Sequence, residues 1–300
     1  MTRTENNILL FSITLCWAAS YVFIASLPPD LSTFAYITMT TGIAAIVLSI
    51  IFFRQLRKVN RGTVKAAFFL SMVLTVGLMM ERWGVNMLSA SDASFLAALT
   101  ILIVPALMLL LRKKPTVNNM VGAGVILLGL FMASRFSLSA FANSGTLFML
   151  AACLFSSIYI ILADRFTKET DPLLLGVMLM IFVTLFGFIL WTIEEPTTFF
   201  SITYTNELLS SIFILAFFSK AYAYIVLMFS QKYSDPVSVT IIASTEPVVT
   251  LTLAVMIPAA YGAGEEMTFA SLGGALVIAA GAVIAGTSFF NRKKAKSHGS

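Results

Sequence analysis

The sequence predicts an all-α integral membrane protein with ten transmembrane helices, arranged as two inverted five-helix repeats. Three observations lead to this prediction: the composition, the length of the apolar segments and a residue pattern that occurs twice. Of the 300 residues, 59% are hydrophobic and 11% are charged, whereas soluble domains carry about a quarter charged residues. The composition is therefore typical of a chain that lies largely in lipid.

Apolar segments of roughly the length that crosses a bilayer, about 20 residues of helix, follow one another along the whole chain. They cover residues 7–27, 32–53, 66–88, 91–111, 117–134, 144–163, 173–193, 207–230, 235–257 and 269–290. Short polar or turn-forming stretches, such as Pro28-Pro29-Asp30, separate them. No connection is long enough for a soluble domain, so we expect no catalytic domain outside the membrane.

The positions of lysine and arginine predict the orientation, because cytoplasmic loops are enriched in both residues. If the N-terminus is cytoplasmic, all but three of the 19 basic residues lie on the inner side; the exceptions are Arg82, Arg135 and Lys220. Both termini are therefore expected in the cytoplasm. The net charge of +5 comes from these loop clusters, so nucleic-acid binding is not expected.

The repeat is visible in the order and spacing of a few residues. The first half contains Ser91-Asp92, Pro105, Gly122 and Gly129, and the second half contains Ser234-Asp235, Pro247, Gly274 and Gly281. Five spans per unit is an odd number, so the two halves should have opposite orientations, as in many secondary transporters. The repeats are expected at residues 1–140 and 141–290, followed by a basic cytoplasmic tail at 291–300. Asp92 and Asp235 are predicted to cap helix starts.

A family resemblance rests on the second half, which carries Ala243, Glu246-Pro247, Gly264-Glu265, Gly273-Gly274 and Gly281. On these residues the chain resembles the drug/metabolite transporter superfamily, and within it the ten-helix EamA-domain family, over nearly its whole length. The first half departs from the family pattern, with Arg112-Lys113-Lys114 in place of Gly-Glu and no arginine in the second helix.

This resemblance implies a secondary transporter of small organic solutes that works by alternating access through a central cavity. It implies export of amino acids or related metabolites across a bacterial-type inner (cell) membrane. Drug or organic-cation efflux and flipping of a lipid-linked substrate stay open as alternatives. The resemblance also leaves open the direction of transport, whether transport is coupled to protons or is facilitated exchange, and whether the protein is a monomer or a weak homodimer. The expected partners are a small-molecule substrate and the lipid bilayer.

Ionisable residues inside spans are costly and are therefore functional candidates. Lys220 and Glu246 lie equally far in sequence on either side of Tyr233, so both are expected at the same depth near the bilayer centre. They are predicted to line the central cavity and to bind a polar or zwitterionic substrate or carry a coupling proton, and an ion pair between them, direct or across the cavity, would lower the cost of burying each charge. The alternative is that they only neutralise one another and fix the helix register. Glu81 is predicted to face the cavity, and Arg82 to reach the outer interface.

Tyrosine and tryptophan inside spans combine an apolar face with a polar group, which suits an amphipathic or cationic solute. The predicted substrate-binding residues are Glu246, Lys220, Tyr222, Tyr224, Trp17, Tyr21, Tyr159 and Glu81. Pro105 and Pro247 each remove a backbone hydrogen bond and are predicted to act as hinges or to shape the cavity.

No catalytic residue, metal site or cofactor is predicted. Cys16 and Cys153 are interpreted as small buried hydrophobic residues, and the histidine His298 lies in the tail. An intramembrane enzyme would need a dyad or a metal cluster, and an ATP-driven pump would need a Walker-type glycine loop. The spans contain neither. A channel would show a charge ring or a filter motif, and neither is visible.

Overall fold

The described part of the chain is helical throughout. The computed structural model describes residues 2–113, 116–133, 143–256 and 268–286. No β-strand occurs within these ranges. The predictions made for Arg135, Gly264-Glu265, His298 and the tail at 291–300 concern residues outside them.

Eight helical spans among the described residues are long and apolar enough to cross a membrane. Five are single helices: α1 (Arg3–Ala25), α2 (Thr33–Ile51), α4 (Arg61–Val85), α8 (Ser144–Glu169) and α9 (Pro172–Glu194). A short helix, α3 (Phe53–Leu56), follows α2, and a 3-10 turn, Pro196–Phe200, follows α9. The fifth and the tenth predicted spans correspond to the shorter apolar helices α7 (Val117–Ala133) and α14 (Phe269–Gly286). The count of ten spans therefore stays a prediction.

The other three spans are each built from two or three pieces. One combines α5 (Ala90–Ala97) with α6 (Thr100–Leu110), and another combines α12 (Pro236–Ala243) with α13 (Glu246–Met256). The third consists of α10 (Asn206–Ile214), a π-helical segment (Leu215–Tyr222) and α11 (Ala223–Gln231). Interrupted and π-helical segments within spans are frequent at functional sites.

Side chains cap the starts of several helices. Asp235 accepts a hydrogen bond from the backbone N–H of Ser238 (3.0 Å) and caps α12, as predicted. For α5 the prediction was wrong, because Ser89 is the capping residue and accepts from the N–H of Asp92 (3.0 Å). Asp92 lies instead in the first turn, where its negative charge is favourable near the helix N-terminus.

Proline explains one of the two helix interruptions directly. Pro247 has no N–H to donate to the carbonyl four residues earlier, which belongs to Ala243, and α12 ends at that residue. In the other span Pro105 lies inside α6, and the interruption at Ala98–Leu99 comes earlier in the chain. Pro105 therefore does not mark the break in its own span.

Glycines allow α7 and α14 to pack backbone against backbone. A Cβ atom at Gly281 would lie 2.7 Å from Ile126 Cγ1 and 2.9 Å from the Gly122 carbonyl oxygen, and one at Gly129 would lie 2.7 Å from the Gly274 carbonyl oxygen. Helices in lipid associate mainly by such close packing. The small-residue faces around Gly122 and Gly281 therefore form a helix–helix contact.

The remaining helices pack around α1 and α8. Helix α1 contacts α11, α12 and α13, while α8 contacts α4, α5 and α6. Helix α2 lies against α9, and Thr184 of α9 donates a hydrogen bond to the Thr41 hydroxyl of α2 (3.0 Å). This arrangement brings the polar side chains of α1, α4, α8 and the π-helical span to one central region.

Arg82 is buried in this arrangement, with 1% of its surface exposed, so the prediction that it reaches the outer interface was wrong. Its guanidinium donates hydrogen bonds to the carbonyl oxygens of Ile24 (2.9 Å) and Pro28 (3.0 Å). The last carbonyls of a helix have no partner within the helix and are stabilised by cations. Arg82 thus holds the C-terminal end of α1 against α4.

Replacing Arg82 by Met should lower the free energy of unfolding by about 2 kcal/mol, since hydrogen bonds from a charged donor contribute about that much. Thermal unfolding in detergent micelles measures the effect. Arg57→Met is the matched control, because Arg57 is exposed in the turn after α3. Equal stability of the two variants would contradict the role assigned to Arg82.

Candidate functional site

A cavity of about 100 Å³, measured as the volume open to the centres of water molecules, lies between α1, α4, α5–α6, α8, the π-helical segment and α12–α13. Seven of the eight predicted substrate-binding residues line it. They are Trp17, Tyr21, Glu81, Tyr159, Lys220, Tyr224 and Glu246. The volume is enough for several water molecules or a small solute.

Tyr222 is the predicted site residue that the structure places elsewhere. Its side chain is 38% exposed, and its hydroxyl group lies 2.8 Å from the Ser12 hydroxyl, outside the cavity lining. Residues two apart on a helix lie on nearly opposite faces, and residues four apart lie on nearly the same face. Because Lys220 faces the cavity, helical periodicity alone would have excluded Tyr222 and retained Tyr224.

Among the described residues, three acidic or basic side chains line the cavity: Glu81, Lys220 and Glu246. Lys220 is 2% exposed and Glu246 is 8% exposed, so both are almost fully removed from the protein surface. Lys220 interacts electrostatically with Glu81. Glu246 and Glu81 interact as like charges, which repel each other.

The direct Lys220–Glu246 ion pair does not form in this structure. No charged atoms of these two described residues come within 4.0 Å of each other, since the ion pairs at that distance in the described ranges are Arg165–Glu169 and Lys168–Asp164. Glu246 therefore has no basic side chain of the described residues in contact. Interaction of Lys220 and Glu246 across the cavity stays a prediction.

Aromatic rings surround the Lys220 ammonium group. Its Nζ atom lies 5.8 Å from the centre of the Tyr36 ring and 5.7 Å from the centre of the Tyr224 ring. At these distances a ring attracts a cation through its quadrupole. Tyr36 was not among the predicted residues, although a tyrosine within the second apolar segment was a visible signal.

Tyr224 connects this group to the rest of the aromatic wall. Its ring packs edge-on against Trp17 (5.9 Å between centroids) and against Tyr159 (6.0 Å). Tyr21 lies close enough to Glu81 for a side-chain hydrogen bond. The cavity is thus lined by aromatic rings together with the carboxylates of Glu81 and Glu246.

The interrupted helices position several of these groups. Glu246 is the first residue of α13, and Thr100, which also lines the cavity, is the first residue of α6. The Cys153 thiol of α8 donates to the carbonyl oxygen of Leu96 (3.1 Å), close to the end of α5. The cysteine predicted to be only a small buried residue therefore lines the cavity and hydrogen-bonds beside a helix break.

Small polar residues of the cavity were missed at the sequence level. Ser20, Thr100, Ser156 and Ser219 line it. On α8, Cys153, Ser156 and Tyr159 recur at the three-residue spacing of one helix face, which was a usable signal. The π-helical geometry around Lys220 had no such signal.

Polar contacts join the helices at the other end of α1. The Asn6 amide donates to the Ser234 hydroxyl, between α11 and α12. The Gln231 amide donates to the Ile160 carbonyl oxygen (3.4 Å) and links α11 to α8. The cavity-lining residues Glu81 and Met149 lie instead within two turns of the C-terminal end of α4 and the N-terminal end of α8.

A solved structure titled "Crystal structure of protein" has the same fold, with a TM-score of 0.73 at 17% sequence identity. The alignment covers 95% of this chain and 97% of the other. Among curated protein sequences, no match to this chain is found.

The model of the EamA-like transporter family matches residues 6–135 and again residues 143–287. Together these two segments include most of the chain, and each contains apolar spans of the kind described above. The chain is therefore a multi-pass membrane protein that belongs to the EamA-like transporter family.

Proposed function

We propose that this protein is a secondary transporter that exports small zwitterionic solutes, with amino acids or related metabolites as the main class. The observation that supports this most directly is the presence of opposite charges in one small cavity. Lys220 can bind a solute carboxylate, and Glu246, which contacts no basic side chain of the described ranges, can bind a solute ammonium group. A buried charge is stabilised when a partner of opposite sign is present.

The size and walls of the cavity favour a small solute. About 100 Å³ suits a molecule with few heavy atoms better than a large drug. Trp17, Tyr159 and Tyr224 offer ring faces to the apolar or cationic part of the solute. Lys220, Glu246, Glu81 and these aromatic residues, together with Tyr21, are the proposed binding residues.

Two inverted five-helix repeats, at about residues 1–140 and 141–290, are part of the proposal. Gly122 approaches Gly281 and Gly129 approaches Gly274, so each contact is converted into the other when the two repeats are exchanged. Thr41 bonds to Thr184, and these two residues have the same sequence offset as Asp92 and Asp235. Equivalent residues that meet in this way are what a pseudo-two-fold axis produces.

Alternating access is supported by the unequal ends of the cavity. The polar contacts of Asn6 and Gln231 join the helices at one end, while the cavity extends toward the other end, near Glu81, where Arg82 joins α4 to the end of α1. With both termini in the cytoplasm, as the lysine and arginine positions predict, the joined end is cytoplasmic. We infer that the second state of the cycle breaks these contacts and exposes Lys220 and Glu246 to the cytoplasm.

The proposal is tested with purified protein and a panel of amino acids, polyamines and quaternary amines. A ligand that binds the folded state raises its unfolding temperature, by an amount equivalent to about 2.7 kcal/mol at a hundred times its Kd. We expect amino acids to stabilise the protein and to be transported in a liposome flux assay.

Organic-cation efflux is the second candidate, because two carboxylates face the cavity beside one lysine. Stabilisation and flux with quaternary amines alone would support that candidate and contradict the proposal for zwitterions.

A further inference from the structure

A second, apolar groove lies on the membrane-facing side of the same helices. It runs between α1, at Leu15, Cys16 and Phe23, and the π-helical span, at Ile214 and Phe218. Its volume is about 220 Å³, and none of the residues that line it is charged. Phe218 is 57% exposed within a span, so the groove faces lipid rather than water.

Two small residues border both this groove and the central cavity. Ser20 of α1 and Ser219 of the π-helical segment line both spaces. Their sequence neighbours, Tyr21 and Lys220, face the cavity. The charged site and the apolar groove are therefore adjacent, with no bulky side chain shared between them.

The pair of spaces matches a solute with one charged end and one apolar end. A charged head group has its partners in the cavity, at Lys220 and Glu246, and finds none in the groove. An alkyl chain gains free energy by leaving water for the groove, and the residues that border both spaces, Ser20 and Ser219, are small. Water is a poor occupant, because it would lose hydrogen bonds among apolar walls.

We propose that the groove receives the apolar tail of the transported solute while its charged head group lies in the central cavity. The substrates would then be amphipathic amino acids with long apolar side chains, and their tails would lie at the bilayer between α1 and the π-helical span. This inference rests on the proposed function, since it takes the central cavity to be the head-group site.

The test uses a homologous series of amino acids: alanine, norvaline, norleucine and 2-aminooctanoate. Binding to the purified wild-type protein is measured by the shift in unfolding temperature and by isothermal calorimetry. If the tail enters the groove, affinity should rise about fourfold for each added methylene, which is the transfer free energy of that group.

Ala19→Phe should abolish the dependence of affinity on chain length. Ala19 lines the groove but not the cavity, and a phenyl ring at this position would fill the groove. Alanine, which has no tail, should bind as before. Ile8→Phe is the matched control, since Ile8 lies on the same helix, is 63% exposed and does not line the groove. Phe218→Ala, which removes an exposed wall residue, should also weaken norleucine binding and leave alanine unaffected.

Equal affinity of alanine and 2-aminooctanoate in the wild type, or an unchanged series in Ala19→Phe, would overturn the inference and leave the proposed function in place. If no member of the series binds saturably, both the inference and the proposed function are overturned. A chain-length dependence that is lost in Ala19→Phe and kept in Ile8→Phe supports the groove as the tail site.

Discussion

Glu246→Gln is expected to reduce the flux of a zwitterionic solute about a hundredfold while the protein stays folded. Glutamine keeps the shape of the side chain and removes its charge, so a solute ammonium group in the cavity would lose its counter-ion. Removing one member of a buried charge pair costs about 3 kcal/mol, which corresponds to about two orders of magnitude in affinity.

The measurement is the initial rate of uptake or counterflow in proteoliposomes, with the unfolding temperature recorded for the same preparations. Glu207→Gln is the matched control, because Glu207 is exposed in the first turn of α10. The same flux in Glu246→Gln as in the control would mean that the solute does not depend on this carboxylate. The site would then have to be sought away from α13.

Gly281→Val should destabilise the protein by about 3 kcal/mol, which is at the upper end of the cost of overpacking. The added Cβ atom would meet the backbone N of Ile126 at 2.8 Å and the Gly122 carbonyl oxygen at 2.9 Å, and backbone atoms cannot rotate away. Helices α7 and α14 would have to separate and lose the contacts that hold them in lipid.

Unfolding temperature and the fraction of monodisperse protein in detergent measure this loss. Gly124→Val is the control, because it lies on α7 and a Cβ atom there meets nothing within 4 Å. The two substitutions share the same change in helix propensity and side-chain size. Similar losses of stability in both variants would show that the close packing at Gly281 contributes no more to stability than the open position at Gly124.

The helix face on which a residue lies and its depth in the membrane could be predicted, because both follow from distance along the chain. Each residue adds a fixed rise to a helix, so the sequence placed Lys220 and Glu246 deep in their spans without any tertiary information. Adjacent residues point in different directions, which is why Glu81 and Arg82 were expected to separate, as they do. The same rule would have excluded Tyr222.

The partner of each charge could not be predicted, because it depends on local departures from regular helix. Lys220 lies in a π-helical segment and Glu246 directly after a helix interruption, so regular α-helical geometry does not relate either side chain to the residues at the start of its span. As a result Lys220 interacts with Glu81, and Glu246 has no basic side chain of the described residues in contact.

Burial of Arg82 was decided by another part of the chain. An arginine near a helix end usually reaches the interface, but the carbonyl oxygens of Ile24 and Pro28, which each accept one backbone N–H as well, offered it partners inside the protein. Nothing near Arg82 in sequence indicates that these carbonyls would lie beside it.

The sequence by itself determined the membrane class, the apolar spans, the repeated glycines and the buried charges, since each follows from composition or from spacing along one helix. Only the tertiary structure decided which charged side chains share the cavity, which aromatic rings line it and that Ser20 and Ser219 border both the cavity and the groove. Those features depend on the rotation of each helix about its axis. That rotation is set by packing against helices far away in sequence.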